Sequence, residues 1–261
     1  KTVAEASPLA FTVSATDVTP GDLVTLSVTS LPLGATFSAT PGNPAAAAFS
    51  WTPSYAQAGA HRVAFTATDS GGLSWSEMVT ITVTNTNRAP TLAAIPPKSG
   101  AEGSGLVFTI SAADPDGDTL TYSATNLPQG ASFSAGLRRF TWTPSYTQAG
   151  SYQVTFKATD PGGLSSSQTV AMTIANTNRA PVFAAMGTKY GTEGTAMSFT
   201  VSATDPDGDA VTYFATGLPQ GASFNAGTRT FSCTPGYTQA ASYQVTFRAT
   251  DSAGLASPLA V

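Results

Sequence analysis

The chain has 261 residues, 41% of them hydrophobic and 10% charged, with 24 Gly, 18 Pro, one Cys and one His. Its net charge of −4 excludes a basic nucleic-acid binder, and no apolar run approaches the roughly 18 residues that span a bilayer. A single cysteine excludes a disulfide framework or a Cys-rich zinc site, and a single histidine excludes most His-based metal and catalytic clusters.

Internal repetition organises the chain. The first copy opens at Lys1, which aligns with Lys98. Asp17-Val18-Thr19-Pro20-Gly21-Asp22 stands where later copies carry an acidic turn, so a metal site at this end of copy one is expected to be degraded. Pro41-Gly42-Asn43-Pro44 and the four alanines after it read as an enlarged loop. Trp51-Thr52-Pro53-Ser54-Tyr55 and Ala67-Thr68-Asp69 follow, and each returns 91 residues later, at Trp142 and Ala158. The linker Asn87-Arg88-Ala89-Pro90 also returns after 91 residues, at Asn178. So does the acidic turn of copy two, Asp114-Pro115-Asp116-Gly117-Asp118, at Asp205. Copy three carries Cys233-Thr234-Pro235-Gly236-Tyr237 and Ala249-Thr250-Asp251. These repeats place domains at 1–87, 88–178 and 179–261. Val261 aligns with Val170, so copy three is expected to lack most of its last strand. The chain therefore reads as a segment of a longer secreted array; the other reading is a fibre subunit whose missing strand a neighbour supplies.

Period-2 alternation dominates within each copy. Phe108, Ile110 and Ala112 alternate with Thr109 and Ser111; Val154, Phe156 and Ala158 follow the same rule, as do Val170, Met172 and Ile174. In copy three Phe199, Val201 and Ala203 and then Val245, Phe247 and Ala249 repeat it. Short strands of this kind, separated by Gly, Pro and Asp turns, put one face in a core and one in water. About seven strands in about 91 residues is the size of an Ig-like sandwich. The expected fold is all-β: three tandem Ig-like, cadherin-like antiparallel β-sandwiches of about seven strands each. Gly150-Ser151-Tyr152 points to a tyrosine corner.

Phe156-Lys157-Ala158-Thr159-Asp160-Pro161-Gly162-Gly163-Leu164-Ser165, a strand, and then Asn176-Thr177-Asn178-Arg179-Ala180-Pro181 resemble the end of one cadherin repeat and the start of the next. The whole unit is similar to the bacterial cadherin-like and "putative Ig" domains of large secreted proteins, including the dystroglycan-type cadherin-like group. The resemblance covers all three copies. It is specific for fold and much less so for function.

Asp114, Asp116 and Asp118 lie at i, i+2 and i+4 on one turn, which Pro115 and Gly117 bend so that the carboxylates converge. Crowded carboxylates repel, and a divalent ion with oxygen ligands relieves the repulsion. Asp160, at the end of a later strand, is placed to reach the same end of the sandwich. The resemblance to cadherins implies two calcium (Ca²⁺) junctions. The first would use Glu5, Asn85, Asn87, Asp114, Asp116 and Asp160; the second Glu102, Asn176, Asn178, Asp205, Asp207 and Asp251. Asp118 and Asp209 are either ligands or caps of the turn. The linker departs from cadherins in carrying Asn, Thr and Arg rather than aspartates, and Trp-Thr-Pro occupies the region of their mid-domain acidic motif. Fewer anionic ligands imply weak binding, roughly 10⁻⁴ to 10⁻³ M at best. The competing reading is metal-free: the same residues form a good turn unaided, and Arg88 and Arg179 stand where they neutralise the aspartates directly.

Other singular residues read as structure. Trp51 and Trp142 occupy a repeated core position, Cys233 replaces that Trp as a small buried hydrophobe, and His61 aligns with Tyr152 and Tyr243. Nothing assembles a catalytic triad around one His, and no Gly-rich phosphate loop opens a helix. The expectation is therefore a non-enzymatic, extracellular or surface-exposed bacterial spacer, stalk or adhesive array. Its partners would be other domains of a longer array, together with surface glycans or another protein; no nucleic acid and no membrane insertion are expected. A carbohydrate-binding module, with Trp75, Tyr190 and Tyr213 as the aromatic candidates, and a self-assembling filament are the alternatives.

Overall fold

The computed structural model describes residues 1–261. Repeat 1 contains strands β1 (Thr2–Ala4), β2 (Leu9–Ala15), β3 (Thr25–Thr29), β4 (Thr36–Thr40), β5 (Ala45–Trp51), β6 (Gly59–Thr68) and β7 (Ser74–Thr84). They form two sheets, one in the order β1-β7-β6-β3 and one in the order β2-β5-β4. All pairs are antiparallel except the first: β1 lies parallel to the far half of β7, with Thr2 opposite Thr82 and Ala4 opposite Thr84.

Alternation explains why these segments pair. Along β5 every second residue is buried, and the facing strands bring their own inward residues to it. Phe11 stacks on Phe49 at 4.7 Å, and Phe65 meets Phe49 edge-on at 6.1 Å. The same phenylalanine trio recurs as Phe108, Phe140 and Phe156, and again as Phe199, Phe231 and Phe247. Three separate apolar cores follow, centred on Phe49 and Ile81, on Phe140 and Met172, and on Val201 and Phe247. Trp51 and Trp142 are buried, and each donates its indole N–H to a loop carbonyl, Leu33 O and Gln129 O, both at 3.2 Å.

Repeat 2 reproduces this plan. The strand at Lys98–Ala101 pairs in parallel with Met172–Ala175, and the strands at Leu106–Thr109 and Ser132–Ser134 flank Arg139–Trp142. In repeat 3 the last strand is Ala256–Ala260, paired with Thr246–Thr250. The segment 188–193, which matches the first strand of the other repeats, is not a strand and borders a cleft of about 560 Å³.

One expectation is corrected in repeat 1. The four alanines are not loop: Ala45–Ala48 open β5, with Thr40 opposite Ala46. Ala45 and Ala47 are buried against Val24 and Leu26. The added residues lengthen a hairpin, because small side chains fit the narrow space at the end of the sandwich. Alanine's weak strand propensity is overridden by burial.

The chain packs as two compact units. One comprises 1–91, 112–121 and 159–166; the other comprises 92–111, 122–158 and 167–261. The acidic turn of repeat 2 and the loop after its Asp160 thus belong with repeat 1, and each junction lies wholly inside one unit.

Candidate functional site at the repeat junctions

Three consecutive linker residues are each engaged. Thr86 donates its backbone N–H to Glu5 Oε2 at 3.0 Å and its hydroxyl to Glu5 O at 3.3 Å. Glu5 is 2% exposed, and its other oxygen accepts Ala58 N–H at 3.1 Å. Asn87 donates its side-chain N–H to Asp160 Oδ2 at 3.0 Å. Arg88 donates its backbone N–H to Asp116 Oδ2 at 2.6 Å and its Nε–H to Asp116 Oδ1 at 2.7 Å. Its Nη2 also pairs with Asp116 Oδ1 at 2.6 Å and reaches Pro115 O at 2.5 Å. The linker is thereby held to the preceding repeat by a glutamate and to the following one by two aspartates.

The second junction is built the same way. Glu102 accepts Gln148 N–H, Ala149 N–H and Thr177 N–H at 2.8, 2.7 and 3.1 Å. Asn178 donates to Asp251 Oδ2 at 2.8 Å. Arg179 grips Asp207 through its backbone N–H, Nε and Nη2 at 2.6, 2.9 and 2.6 Å.

Turn chemistry holds the aspartates in place. Asp114 Oδ1 accepts the backbone N–H of Asp116 at 2.8 Å and of Asp118 at 3.3 Å; Asp205 does the same for Asp207 and Asp209. Asp118 and Asp209 thus serve the turn through their backbone N–H groups. Asp160 and Asp251 are buried and also accept the N–H of Leu164 and Leu255, both at 2.8 Å. The Arg88 guanidinium holds the Asp116 carboxyl below its ordinary value, overriding the opposing effect of burial, and Arg179 does the same for Asp207. The pairing in turn raises Arg179. Burial pushes Asp251 up, but bonds from Asn178 and from the backbone N–H groups of Leu255, Gly254 and Ala253 outweigh it and leave it lowered.

Two carboxylate oxygens stand apart. Asp114 Oδ2 and Asp205 Oδ2 are buried and have no hydrogen-bond partner. A buried anionic oxygen without a donor suits a cation. Asn85 and Asn176 are exposed. Asn87 and Asn178 turn their NH₂ groups, not their oxygens, to the aspartates.

Repeat 1 carries a further acidic group. Asp17, Asp22 and Asp69 bring carboxylate oxygens within 4.8 Å of one another. Asp17 accepts the Thr19 N–H at 2.6 Å and Asp22 the Ser70 hydroxyl at 2.7 Å.

Sequence reasoning missed the tyrosines. Arg88 lies over the ring of Tyr55, and Arg179 over Tyr146, both at 4.6 Å. The signal was present: Tyr recurs at the same place after Trp-Thr-Pro or Cys-Thr-Pro in every copy, at partly exposed positions where no core demands it. Trp51 meets His61 and Trp142 meets Tyr152, in both cases edge-on at 4.8 Å. His61 Nε2 lies 2.8 Å from Gln57 O, and Tyr152 O–H donates to Gln148 O at 2.8 Å, so histidine takes over the tyrosine's structural bond.

The three aromatic candidates differ in setting. Tyr213 is half-buried and exchanges hydrogen bonds with Ala203 through its hydroxyl. Trp75 and Tyr190 are 67% and 89% exposed but belong to different repeats, and Phe214 and Tyr237 are exposed as well.

Comparison with known proteins places this geometry in context. The family described as "Putative Ig domain" matches residues 1–84, 89–175 and 180–260. Chitinase A of Pseudoalteromonas piscicida is 34% identical over 132 residues, which are 49% of this chain and 16% of the chitinase. The "Serine-rich adhesin for platelets" of Staphylococcus aureus strain MRSA252 is 31% identical over 137 residues, 52% of this chain and 10% of the adhesin. Each match thus spans a small part of the relative. Among solved structures, mouse Cadherin-23 EC22-24 aligns over 99% of this chain and 92% of its own with a TM-score of 0.56 at 18% identity. Extracellular cadherin domains 1-5 of Protocadherin Gamma B2 align over 100% of this chain and 57% of their own with a TM-score of 0.53 at 19% identity. These likenesses carry the fold alone.

Proposed function

Because the chain belongs to the "Putative Ig domain" family three times over, we propose that it is a non-catalytic structural or adhesive array of an extracellular or surface protein, with stiffened junctions between repeats. The observation that carries this reading is the duplicated junction, in which a buried glutamate, a linker of three bonded residues and two aspartates recur with the same partners. A freely jointed string would have no use for so many bonds in a linker. The match to an adhesin supports the location. No helix is long and apolar enough to cross a membrane.

Calcium is the metal that this oxygen set suits. Asp114 Oδ2 and Asp205 Oδ2 invite it, and Asp160 or Asp251 would complete the anionic side. Calcium would supply the charge neutralisation that these two oxygens lack. Asn87 and Asn178 would contribute by presenting their oxygens in place of their NH₂ groups. Calorimetric titration tests this: the expected result is weak binding in the range of extracellular modules, abolished in an Asp114→Asn, Asp205→Asn double variant. No heat at millimolar calcium removes the metal from the reading.

A carbohydrate-binding role is the second reading, favoured by the exposed Trp75 and the chitinase match. Retention on chitin, lost in Trp75→Ala, would replace the structural reading.

A further inference from the structure

We propose that Arg88 and Arg179 are the junctions' built-in cations, each forming a Tyr–Arg–Asp clasp that fixes consecutive repeats without a metal ion. The inference rests on the array reading above and extends it. Each guanidinium has two faces of contact. Its flat surface covers a tyrosine of the preceding repeat, Tyr55 or Tyr146, at 4.6 Å. Its edge grips an aspartate of the following repeat, Asp116 or Asp207, through Nε and Nη2. The two aspartates are 5% and 9% exposed at the side chain, and their arginines about a third.

Chemistry explains the choice of arginine. A guanidinium is planar, stacks on aromatic rings and offers several donors in one fork. Lysine, as a point charge, cannot both stack and chelate. A further bond, from Nη2 to Pro115 O or Pro206 O, fixes the fork's rotation. The aspartate's own backbone N–H donates to Asp114 or Asp205, which fixes the turn that carries it.

Tyr237 is the counterpart of Tyr55 and Tyr146. It is 83% exposed, against 45% and 43% for the two tyrosines that an arginine covers. A Cβ at Gly194 would meet the Tyr237 hydroxyl at 2.7 Å, as one at Gly103 would meet that of Tyr146 at 2.8 Å, so the tyrosine keeps the same local setting in both repeats.

The consequence concerns calcium. Asp116 and Asp207 are already neutralised, so a divalent ion is confined to the side of Asp114 or Asp205, and the junction keeps its pose when that ion is removed. The test is the distribution of distances between spin labels on repeats 1 and 2, attached at Ser38→Cys and Ser132→Cys in a Cys233→Ala background of the full chain. In EDTA the protein with an intact clasp is expected to give one narrow peak. Arg88→Gln is expected to lose that peak in EDTA, and Tyr55→Leu to broaden it, with unchanged far-ultraviolet circular dichroism in both. A narrow peak in Arg88→Gln in EDTA overturns the proposal. So does an intact protein that is broad in EDTA and narrows only with calcium. Retention on chitin would sink the array reading while leaving this measurement to stand by itself.

Discussion

Ala6 shows how a single position records the shared plan. It follows Glu5 as Gly103 follows Glu102, and all three counterparts, Ala6, Gly103 and Gly194, donate their N–H to a proline carbonyl at 2.8 Å. Their φ values are 56°, 71° and 70°, in the left-handed region that favours glycine. Alanine bears a conformational cost there that glycine does not, on the order of 1 kcal/mol. Ala6→Gly is therefore expected to stabilise repeat 1 by about 1 kcal/mol, read as a rise in its urea midpoint. Gly162 makes the opposite point. A methyl there would press on the Asn87 amide, yet its counterpart Ala253 coexists with the Asn178–Asp251 bond at 2.8 Å, so the side chain gives way rather than the backbone. The lowered carboxylates set a pH dependence. Asp116, Asp207 and Asp251 have folded pKa values below the unfolded value of about 3.9. Their contribution is complete above that value and disappears as pH falls through the lower, folded one. Thermal unfolding followed from pH 7 downwards should show little loss from these groups until pH drops below about 4. Arg88→Gln should flatten the part due to Asp116.

Strands carried most of the readable information, and hairpins the least. Phe108, Phe156 and Met172 alternate with polar neighbours, so their inward direction could be read without coordinates, and all three lie in or against the core. The hairpin at residues 36–51 was misread because Pro41-Gly42-Asn43-Pro44 is strong turn chemistry, while alanine gives no alternation to count. Burial of Ala45 and Ala47 against Val24 is a long-range fact that local sequence does not contain. The first strands are similar: Lys98–Ala101 is a strand because Met172–Ala175 lies beside it, as Thr2–Ala4 lies beside Thr82–Thr84. Short edge strands depend on a neighbour's free N–H and C=O groups more than on their own side chains.

Each repeat keeps its own core, so packing defects should remain local. Phe140 is fully buried and touches both Phe108 and Phe156. Phe140→Ala is expected to destabilise repeat 2 by roughly 3–5 kcal/mol. The checking measurement is urea unfolding followed by Trp142 fluorescence, with the transition reported by Trp51 little moved in a Trp142→Phe background. A change of similar size at both tryptophans would mean that the repeats unfold as one. The junction has a different origin. Linker residues contribute almost nothing to any core, and their order comes from Glu5, Asp160 and Asp116, which lie 81, 73 and 28 residues away along the chain.

Fold class, repeat number and the acidic, asparagine and arginine positions were all readable from residue order, because alternation and the 91-residue period are one-dimensional signals. Which cation meets which carboxylate was not. Arg88 was visible as a candidate to neutralise the aspartates, but its stacking on Tyr55 depends on where two sandwiches bring a turn of one beside a turn of the next. Only folding brings residues 33 positions apart to a ring-to-guanidinium distance of 4.6 Å, because charge and aromatic contacts act through space and not along the chain.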